Sequence, residues 1–259
     1  MKKILSLFTI LLLIFASVPT FAFSDVKKND WFEPFVQRAS EQGLVKGYTD
    51  GSFKPRNNIT VSEFISITLS ALESKGAMFD INYAGAYPGS SSRKINETNQ
   101  YTVYLSYDLP LGVPKIIHFD VSTGEAILGN NSDIGIQTIT NIKSIESKWY
   151  YKSYLSAIGT GLILSEDFKI SDLERKITRA EIALITNNAL GLLQEKQKAT
   201  KYNSFVDSID KKFEPSVQNL YEEKIMLGFT GNTFKPNNAA TRAEAVVVIL
   251  NLVDYSARK

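Results

Sequence analysis

Two arginines occupy equivalent positions that local helix energetics disfavour. Arg179 lies in Ile-Thr-Arg-Ala-Glu at 177–181, and Arg242 lies in Thr-Arg-Ala-Glu at 241–244. We expect each threonine to cap a helix, which makes the arginine the first helical residue, where the helix dipole disfavours a cation. A guanidinium beside free N–H groups at a helix N-terminus suits a carboxylate ligand. A salt bridge within the protein is the alternative use.

Two tryptophans and one loop dipeptide are further candidates for ligand contact. Trp31 and Trp149 are 118 residues apart in matching sequence contexts, each at the predicted start of a helix. An aromatic face can stack on a sugar ring, and packing against the helix is the equally weighted alternative. Asp50 and Gly51 lie in the loop Gly-Tyr-Thr-Asp-Gly-Ser-Phe-Lys-Pro, where they serve either a tight turn or a ligand. These four residues and both arginines form the predicted ligand-binding set.

The residue inventory excludes several classes of chemistry. With no cysteine and a single histidine, His118, the chain has no disulfide, thiol nucleophile, thiolate zinc site or histidine cluster. We find no carboxylate pair spaced for glycoside hydrolysis and no nucleotide-binding or calcium-loop motif. The 29 basic and 27 acidic residues are nearly balanced, which gives no electrostatic reason to expect nucleic acid as a partner. We therefore predict no catalytic residue, no metal and no cofactor.

Residues 1–22 have the composition of a secretory signal peptide. Two lysines precede an apolar run of about 13 residues from Ile4 to Ala16, which is too short to span a bilayer comfortably. Small residues at Thr20 and Ala22 fit cleavage after Ala22. An uncleaved membrane anchor is the alternative. We expect a secreted protein with no membrane contact after cleavage.

The remaining chain contains three copies of a unit of roughly 50 residues. A shift of 118 places Trp31 on Trp149 and Thr60 on Thr178. A shift of 181 places Phe53-Lys54-Pro55 on 234–236. Copies two and three are 63 residues apart, so the larger first spacing indicates an insert of about 55 to 70 residues after copy one.

Each unit is predicted to form a helix, a loop and a second helix. In copy one, Asp30 is the predicted N-cap of the first helix and Gly43 its C-terminal stop. Phe53 and its counterpart Phe234 are predicted to fill the core. Such short helix pairs cannot bury their apolar faces alone, so three should pack into one bundle. The second helices are predicted to begin with capping boxes at Thr60/Glu63, Thr178/Glu181 and Thr241/Glu244.

These motifs resemble the S-layer homology (SLH) repeat. The resemblance rests on Phe23-Ser24-Asp25-Val26, on the loop at 47–55 and on the two Thr-Arg-Ala-Glu segments. It implies a mainly α fold, a pseudo-threefold bundle of three helix-loop-helix repeats. The predicted repeats occupy 23–75, 147–200 and 201–259.

The resemblance also implies a function and a site. SLH repeats anchor exported proteins at the cell wall or S-layer surface by binding a secondary cell-wall polysaccharide that is attached to peptidoglycan and often carries acidic pyruvate groups. The ligand grooves lie between neighbouring repeats and are lined by the signature arginine and the Gly/Asp loop. A small exported hydrolase using carboxylates and a structural surface protein without sugar binding are the alternatives.

No copy carries the complete signature. Copy one has the loop, but Val61 replaces the arginine. Copy two has Arg179, but its loop at 165–173 contains neither glycine nor proline. Copy three has Arg242, but Gly231-Asn232 stands where Asp50-Gly51 stood. Complementary halves can still build one or two sites, so we predict fewer than three.

The insert at 76–146 has a different pattern. Alternating residues from Tyr101 to Leu109 predict a strand, and segments 115–121 and 125–128 flank a predicted hairpin turn at Ser122–Gly124. We therefore predict a small β-rich (α+β) domain. Its role is either to bind a protein or glycan partner or to space the repeats.

Overall fold

A computed structural model describes residues 23–76, 100–105, 115–120, 125–129, 137–139, 142–193 and 205–258. The predicted signal peptide at 1–22 lies outside these residues. Within the described ranges, no helix combines the length and the apolar character that crossing a membrane requires. The described chain is mainly helical, as predicted from the sequence.

Each repeat contributes a shorter helix and a second helix that begins at the capping motif. Repeat 1 contains α1 (Glu33–Glu41) and α2 (Val61–Ser74). Repeat 2 contains α3 (Tyr151–Thr160) and α4 (Arg179–Leu192). Repeat 3 contains α5 (Glu214–Glu222) and α6 (Arg242–Ala257). Short 3₁₀ turns at Ile142–Ile145 and Ile170–Asp172 lie before α3 and within the loop of repeat 2.

All three predicted capping boxes are present. At α2 the Thr60 side-chain oxygen accepts a hydrogen bond from the Glu63 N–H at 3.3 Å, and the Glu63 carboxylate accepts one from the Thr60 N–H at 2.9 Å. The same reciprocal pair begins α4 and α6. A cap of this kind contributes about 1 kcal/mol and fixes where its helix begins.

The predicted N-cap of α1 is wrong, whereas its predicted stop is confirmed. The helix begins at Glu33, and the N-cap residue is Phe32, which has no side-chain cap. The Asp30 carboxylate instead accepts a hydrogen bond from the Lys27 N–H at 2.9 Å and one from Arg56 at 2.9 Å, so it holds the preceding turn. Gly43 adopts φ 72° immediately after the helix, a conformation that favours glycine.

The loop of each repeat supplies hydrogen-bond acceptors to the second helix of a neighbouring repeat. The first two N–H groups of α6 donate to Asn57 O at 2.9 Å and Pro55 O at 3.0 Å. Those of α4 donate to Asn238 O and Pro236 O, and those of α2 to Arg175 O and Leu173 O. The first N–H groups of an α-helix have no intrahelical partner, and these bonds satisfy them.

A second set of backbone bonds completes the contact between the three loops. Ile59 N–H donates to Ala240 O, Ile177 N–H to Ile59 O, and Ala240 N–H to Ile177 O, at 3.0 to 3.2 Å. Each repeat therefore donates to one neighbour and accepts from the other. This cyclic exchange joins residues that are far apart in sequence.

The apolar core lies between the helices and beneath the loops. Helices α2, α4 and α6 contact one another, while α3 packs on α2, α5 on α4, and α1 on α6. Phe53 and Phe234 are fully buried, as predicted for core residues. In repeat 2, Phe168 is also buried, although the loop that carries it has a different sequence. An ion pair between Arg38 of α1 and Asp254 of α6 adds to the contact between the first and last helices.

The described part of the insert forms an antiparallel sheet. Strands β1 (Gln100–Leu105), β2 (Lys115–Asp120), β3 (Glu125–Gly129) and β4 (Gln137–Ile139) pair in sequence order. The pairing of β2 with β3 agrees with the predicted hairpin, whose turn at 122–124 lies outside the described residues. His118 is in β2, opposite Thr102 of β1 and Ile127 of β3.

We predict that the helical repeats fold without the insert. Replacing residues 77–141 with a Gly/Ser linker should preserve a cooperative thermal transition, because the caps and inter-repeat backbone bonds belong to the repeats and loop closure cost grows slowly with length. The linker must spare Ile145, which is buried in the helical core. Circular dichroism at 222 nm would measure the transition. A broad, non-cooperative melt would show that the insert is part of the core.

Candidate functional site

A cavity of about 420 Å³ lies where the three repeats meet. Repeat 1 forms most of it, while repeats 2 and 3 contribute one side chain each, Trp149 and Arg242. The sequence analysis selected both of those residues. The lining consists of Leu44, Val45, Lys46, Gly47, Tyr48, Glu63, Ser66, Ile67, Ser70, Trp149 and Arg242.

Arg242 is held by repeat 1 at the base of this cavity. Its Nε donates to Phe53 O at 3.0 Å and its Nη2 to Lys46 O at 3.3 Å. Its Nη1 donates to Glu63 Oε1 at 3.0 Å. The residue is 6% exposed, so the guanidinium serves first as an internal link between repeats 3 and 1. Such bonds are strong because the donor is charged and partly desolvated.

Tyr48 and Glu63 complete the polar base. The Tyr48 hydroxyl donates to Glu63 Oε1 at 2.9 Å, which is the atom that also receives Arg242. Burial raises the pKa of Tyr48, and the positive charge of Arg242 opposes this only in part. The Tyr48 ring also contacts Lys54 Nζ, which lies 4.1 Å from its centroid. The sequence analysis identified Glu63 only as a helix cap, because its second role depends on a residue from repeat 3.

The loop that carries Tyr48 is fixed by its backbone. A side chain at Gly47 would place its Cβ 2.9 Å from Ser52 O and against the ring of Phe23, so only glycine fits there. At the other end of the loop, the Asp25 carboxylate accepts hydrogen bonds from the Phe53 and Lys54 N–H groups at 2.7 and 2.8 Å. The Ser-Asp-Val element of the sequence therefore holds the loop in place.

The corresponding junction between repeats 2 and 3 is more apolar. Arg179 Nε donates to Phe234 O at 2.9 Å and Nη2 to Leu227 O at 3.0 Å. Arg242 forms the equivalent two hydrogen bonds with the carbonyls of Phe53 and Lys46. Phe229 stands where repeat 1 has Tyr48, and Arg179 Cζ lies 4.4 Å from its ring centroid. Burial lowers the pKa of Arg179, and the charges of Glu244 and Asp207 only partly oppose this shift.

The third junction uses an arginine from a different position. Val61 cannot supply a guanidinium to repeat 2, and Arg175 from the loop of repeat 2 contacts Glu181 through both terminal nitrogens, at 2.5 and 2.9 Å. Burial would raise the pKa of Glu181, but hydrogen bonds from Arg175 and the Thr178 N–H outweigh it and hold that pKa below its usual value. The carboxylate at this junction is therefore already paired within its own repeat.

Of the other predicted site residues, Trp149 lines the cavity, whereas Trp31, Asp50 and Gly51 do not. Trp31 is 58% exposed and Trp149 is 64% exposed, so both present an aromatic face to solvent. The Asp50 carboxylate accepts hydrogen bonds from the Ser52 hydroxyl and N–H, which lower its pKa, and Gly51 adopts φ 77°. Asp50 and Gly51 form a tight turn at the surface. Their ligand contact stays a prediction.

One part of the expectation for the arginines is wrong. The helix N–H groups beside Arg179 and Arg242 were expected to receive a carboxylate. They donate instead to loop carbonyls of the neighbouring repeat, and the next N–H donates to the capping threonine. An anion at either junction would have to be held by side chains.

Comparison with known proteins identifies the repeat. Residues 22–65 and 206–246 match the family model of the S-layer homology domain. The two segments include the loops, the aspartates that hold them and the capping boxes of repeats 1 and 3. The chain therefore carries S-layer homology domains in these two segments.

Several relatives share part of this chain. The middle cell wall protein of Brevibacillus brevis is 38% identical over 77 residues, which is 30% of this chain and 7% of that protein. Amylopullulanase of Thermoanaerobacterium thermosulfurigenes is 24% identical over 239 residues, 90% of this chain and 10% of that protein. Cellulosome-anchoring protein of Acetivibrio thermocellus is 39% identical over 54 residues, 21% of this chain and 12% of that protein. The chain thus spans a small fraction of each relative's length.

We predict that Arg242→Ala destabilises the fold by about 3 kcal/mol, because it removes the charged donor of the Phe53 and Lys46 carbonyls and the ion-pair partner of Glu63. Urea unfolding would measure the change. Arg56→Ala is the control, since Arg56 is also ion-paired but its side chain is 71% exposed, and we expect little change there. Equal losses in the two variants would contradict an internal role for Arg242.

We predict that the Arg175–Glu181 pair gives the protein an acid-sensitive component of stability. The pKa of Glu181 is lowered from 4.5 by folding, so its contribution is complete above about pH 6 and is lost as pH falls through the folded-state pKa. Stability of the parent should therefore fall more steeply from pH 6 to pH 3 than that of Glu181→Gln. Urea midpoints across this range would measure it, with the exposed Glu166→Gln as the control. Parallel profiles for the parent and Glu181→Gln would contradict it.

Proposed function

We propose that this chain is a non-catalytic anchor that attaches to the bacterial cell wall. Its ligand is an acidic, pyruvylated secondary cell-wall polysaccharide linked to peptidoglycan, and the cavity between the three repeats is the binding site. The observation that carries the proposal is the exposed face of Trp149 beside Lys46 and Arg242 in one cavity. Sugar rings stack on such faces, and cations attract the acidic groups.

The charges of the cavity favour an anion. Lys46 and Arg242 are the two basic residues among its lining, and Glu63 is the one acidic residue. Because Arg242 is already hydrogen-bonded to Glu63, the exposed Lys46 supplies the uncompensated charge. The Ser66 hydroxyl, which donates to Ser62 O at 2.9 Å, adds an acceptor for a polysaccharide, and Ser70 adds a second hydroxyl.

The relatives support a cell-surface location. The matching segments belong to proteins described as a cell wall protein and a cellulosome-anchoring protein. The amylopullulanase shares only a segment equal to 10% of its length, so its activity does not transfer to this chain. A shared anchoring segment explains why one sequence pattern occurs in proteins with such different names. Export would require the predicted signal peptide.

The domain organisation follows from the same proposal. The three repeats at 23–75, 147–200 and 201–259 form one pseudo-threefold bundle, supported by the cyclic exchange of backbone hydrogen bonds. The residues between repeats 1 and 2 form a β-rich domain, supported by the four paired strands. That domain binds a further protein or glycan, or spaces the repeats.

A hydrolase is the less favoured alternative. Glycoside hydrolysis requires an acid and a base or nucleophile on either side of the bond, usually two carboxyl groups. Glu63 is hydrogen-bonded to both Arg242 and Tyr48, and the described lining of the cavity contributes no second carboxylate. This arrangement favours binding over bond cleavage.

We predict that the protein co-sediments with purified cell walls and does not co-sediment after the acidic polymer has been extracted. Trp149→Ala should weaken binding about tenfold, since a stacking contact contributes about 1.5 kcal/mol. Lys46→Ala should weaken it several-fold and reduce its dependence on salt, because it removes an exposed charge.

Lys152→Ala is the matched control for Lys46→Ala. Lys152 is an exposed lysine on α3 outside the cavity lining, so its loss should leave binding unchanged. Equal sedimentation with extracted walls would contradict the polysaccharide as ligand. Parental binding by both Trp149→Ala and Lys46→Ala would contradict the cavity as its site.

A further inference from the structure

Repeat 3 carries an apolar surface that repeat 1 lacks. Among the described residues, six large apolar side chains are exposed, and three of them belong to repeat 3: Val206, Leu227 and Phe229. They are 72%, 56% and 37% exposed, and none has a polar side-chain atom. The other three are two tryptophans and a tyrosine, each of which has one. We call Val206, Leu227 and Phe229 the repeat 3 patch.

The residues of the patch belong to one part of the surface. Leu227 and Phe229 take the places of a lysine and a tyrosine of repeat 1 that both line the cavity, so they face the same side of their loop. The N–H groups of Val206 and Phe229 donate to the carbonyls of Asn232 and Thr233, at 3.0 and 2.7 Å. Exposed apolar residues that cluster in this way mark sites of contact with another molecule.

The fold of repeat 3 does not require these apolar residues. Ser24, Lys46 and Tyr48 stand at the corresponding positions of repeat 1, where the loop has the same backbone hydrogen bonds. The patch residues also contribute little to the core, because much of each side chain is in solvent. A role outside the folded chain therefore explains them better than packing does.

A lysine beside the patch lacks the partner that repeat 1 provides. In repeat 1, Lys54 forms an ion pair with Asp50 at 3.4 Å, whereas Gly231 stands at the place of Asp50 in repeat 3. Lys235, which replaces Lys54, is exposed and forms no ion pair within the described residues. Its Nζ lies 4.5 Å from the ring centroid of Phe229, at the edge of the patch.

Glu244 is the acidic counterpart of this lysine. Its Oε2 accepts hydrogen bonds from Thr241, but its Oε1 accepts none within the described residues and is not buried. The equivalent oxygen of Glu63 accepts two hydrogen bonds in repeat 1. The charge of Glu244 acts to raise the pKa of Arg179, but the two side chains form no ion pair. By the register of the repeats, Phe229 lies between a lysine and a carboxylate that can each accept a partner.

We propose that the repeat 3 patch is the contact surface of a homodimer, in which two copies of this chain meet about a two-fold axis. A symmetric contact of this kind requires a self-complementary surface, and interfaces have an apolar centre with a polar rim. The patch meets both requirements. Lys235 of one protomer pairs with the partner's Glu244, and the reciprocal pair forms on the other side of the axis.

The charges of the rim favour a second copy over another occupant. A partner that carried only acidic groups would satisfy Lys235 and repel Glu244, and a basic partner would do the reverse. A second copy presents both signs in the positions that the two-fold axis demands. The dimer does not depend on what the cavity binds, because the cavity is formed mainly by repeat 1.

Sedimentation velocity tests the dimer directly. The chain from residue 23 onward is used, because the apolar run at 4–16 could associate on its own. Between about 1 µM and about 1 mM it should show a monomer–dimer equilibrium with no larger species, since a two-fold contact closes. Leu227→Lys should raise the dissociation constant about tenfold or more, because it places like charges at the apolar centre. Lys54→Glu, at the equivalent position to Lys235 in repeat 1, is the control and should leave association unchanged.

Two charge-reversed variants test the reciprocal ion pairs. Lys235→Glu and Glu244→Lys should each be monomeric alone, whereas an equimolar mixture should form a heterodimer in which both pairs are restored with their signs exchanged. Circular dichroism melting checks that each variant folds, because Glu244 also caps α6. If Glu244→Lys does not fold, Lys235→Glu and Leu227→Lys decide the question. A parent that stays monomeric, a dimer that persists in both of those variants, or folded charge-reversed variants that fail to associate would overturn the proposal.

Discussion

The arrangement of this protein depends on how the first N–H groups of three helices are satisfied. A helix begins with donors that it cannot use itself, and leaving them buried without partners would be costly. Here each such end is placed against a loop of the next repeat, whose carbonyls accept the hydrogen bonds. Each helix start is thereby tied to a second repeat, and each loop acquires a fixed position. The helical core and the cavity both follow from this exchange.

The same exchange explains why an arginine is tolerated at a helix start. With the helix N–H groups already occupied, the side chains of Arg179 and Arg242 extend across the junction and donate to further carbonyls of the neighbouring loop. Those carbonyls compensate for the unfavourable helix dipole. Each arginine is thus part of the contact between neighbouring repeats, and Arg242 also lines the cavity.

Local features of the sequence predicted local structure well. The three capping boxes, the stop at Gly43 and the burial of Phe53 and Phe234 were evident from residue type and spacing, and the structure confirms each. Asp30 was misassigned because a carboxylate near a helix start can equally hold the preceding turn. Nothing in its spacing from Glu33 distinguishes the two uses.

The composition of the site was less predictable, because it depends on contacts between repeats. Trp149 and Arg242 were both selected, but the sequence did not show that they meet in one cavity. The role of Glu63 required knowing which arginine faces it, and Arg175 was missed because it supplies a guanidinium from a position that has no signature. A missing signature residue at one junction can therefore be replaced by a residue elsewhere in space.

The contact between α1 and α6 has a consequence for how the chain folds. Arg38 and Asp254 are 216 residues apart, and they join the first helix to the last. Repeat 1 cannot gain its second neighbour until the end of repeat 3 has emerged, so its loop and its apolar surface stay incompletely covered through most of synthesis. Contacts at such large sequence separation slow folding, since a long loop must close before they contribute. A chain of this kind therefore stays unfolded for longer than one whose repeats contact only their neighbours in sequence.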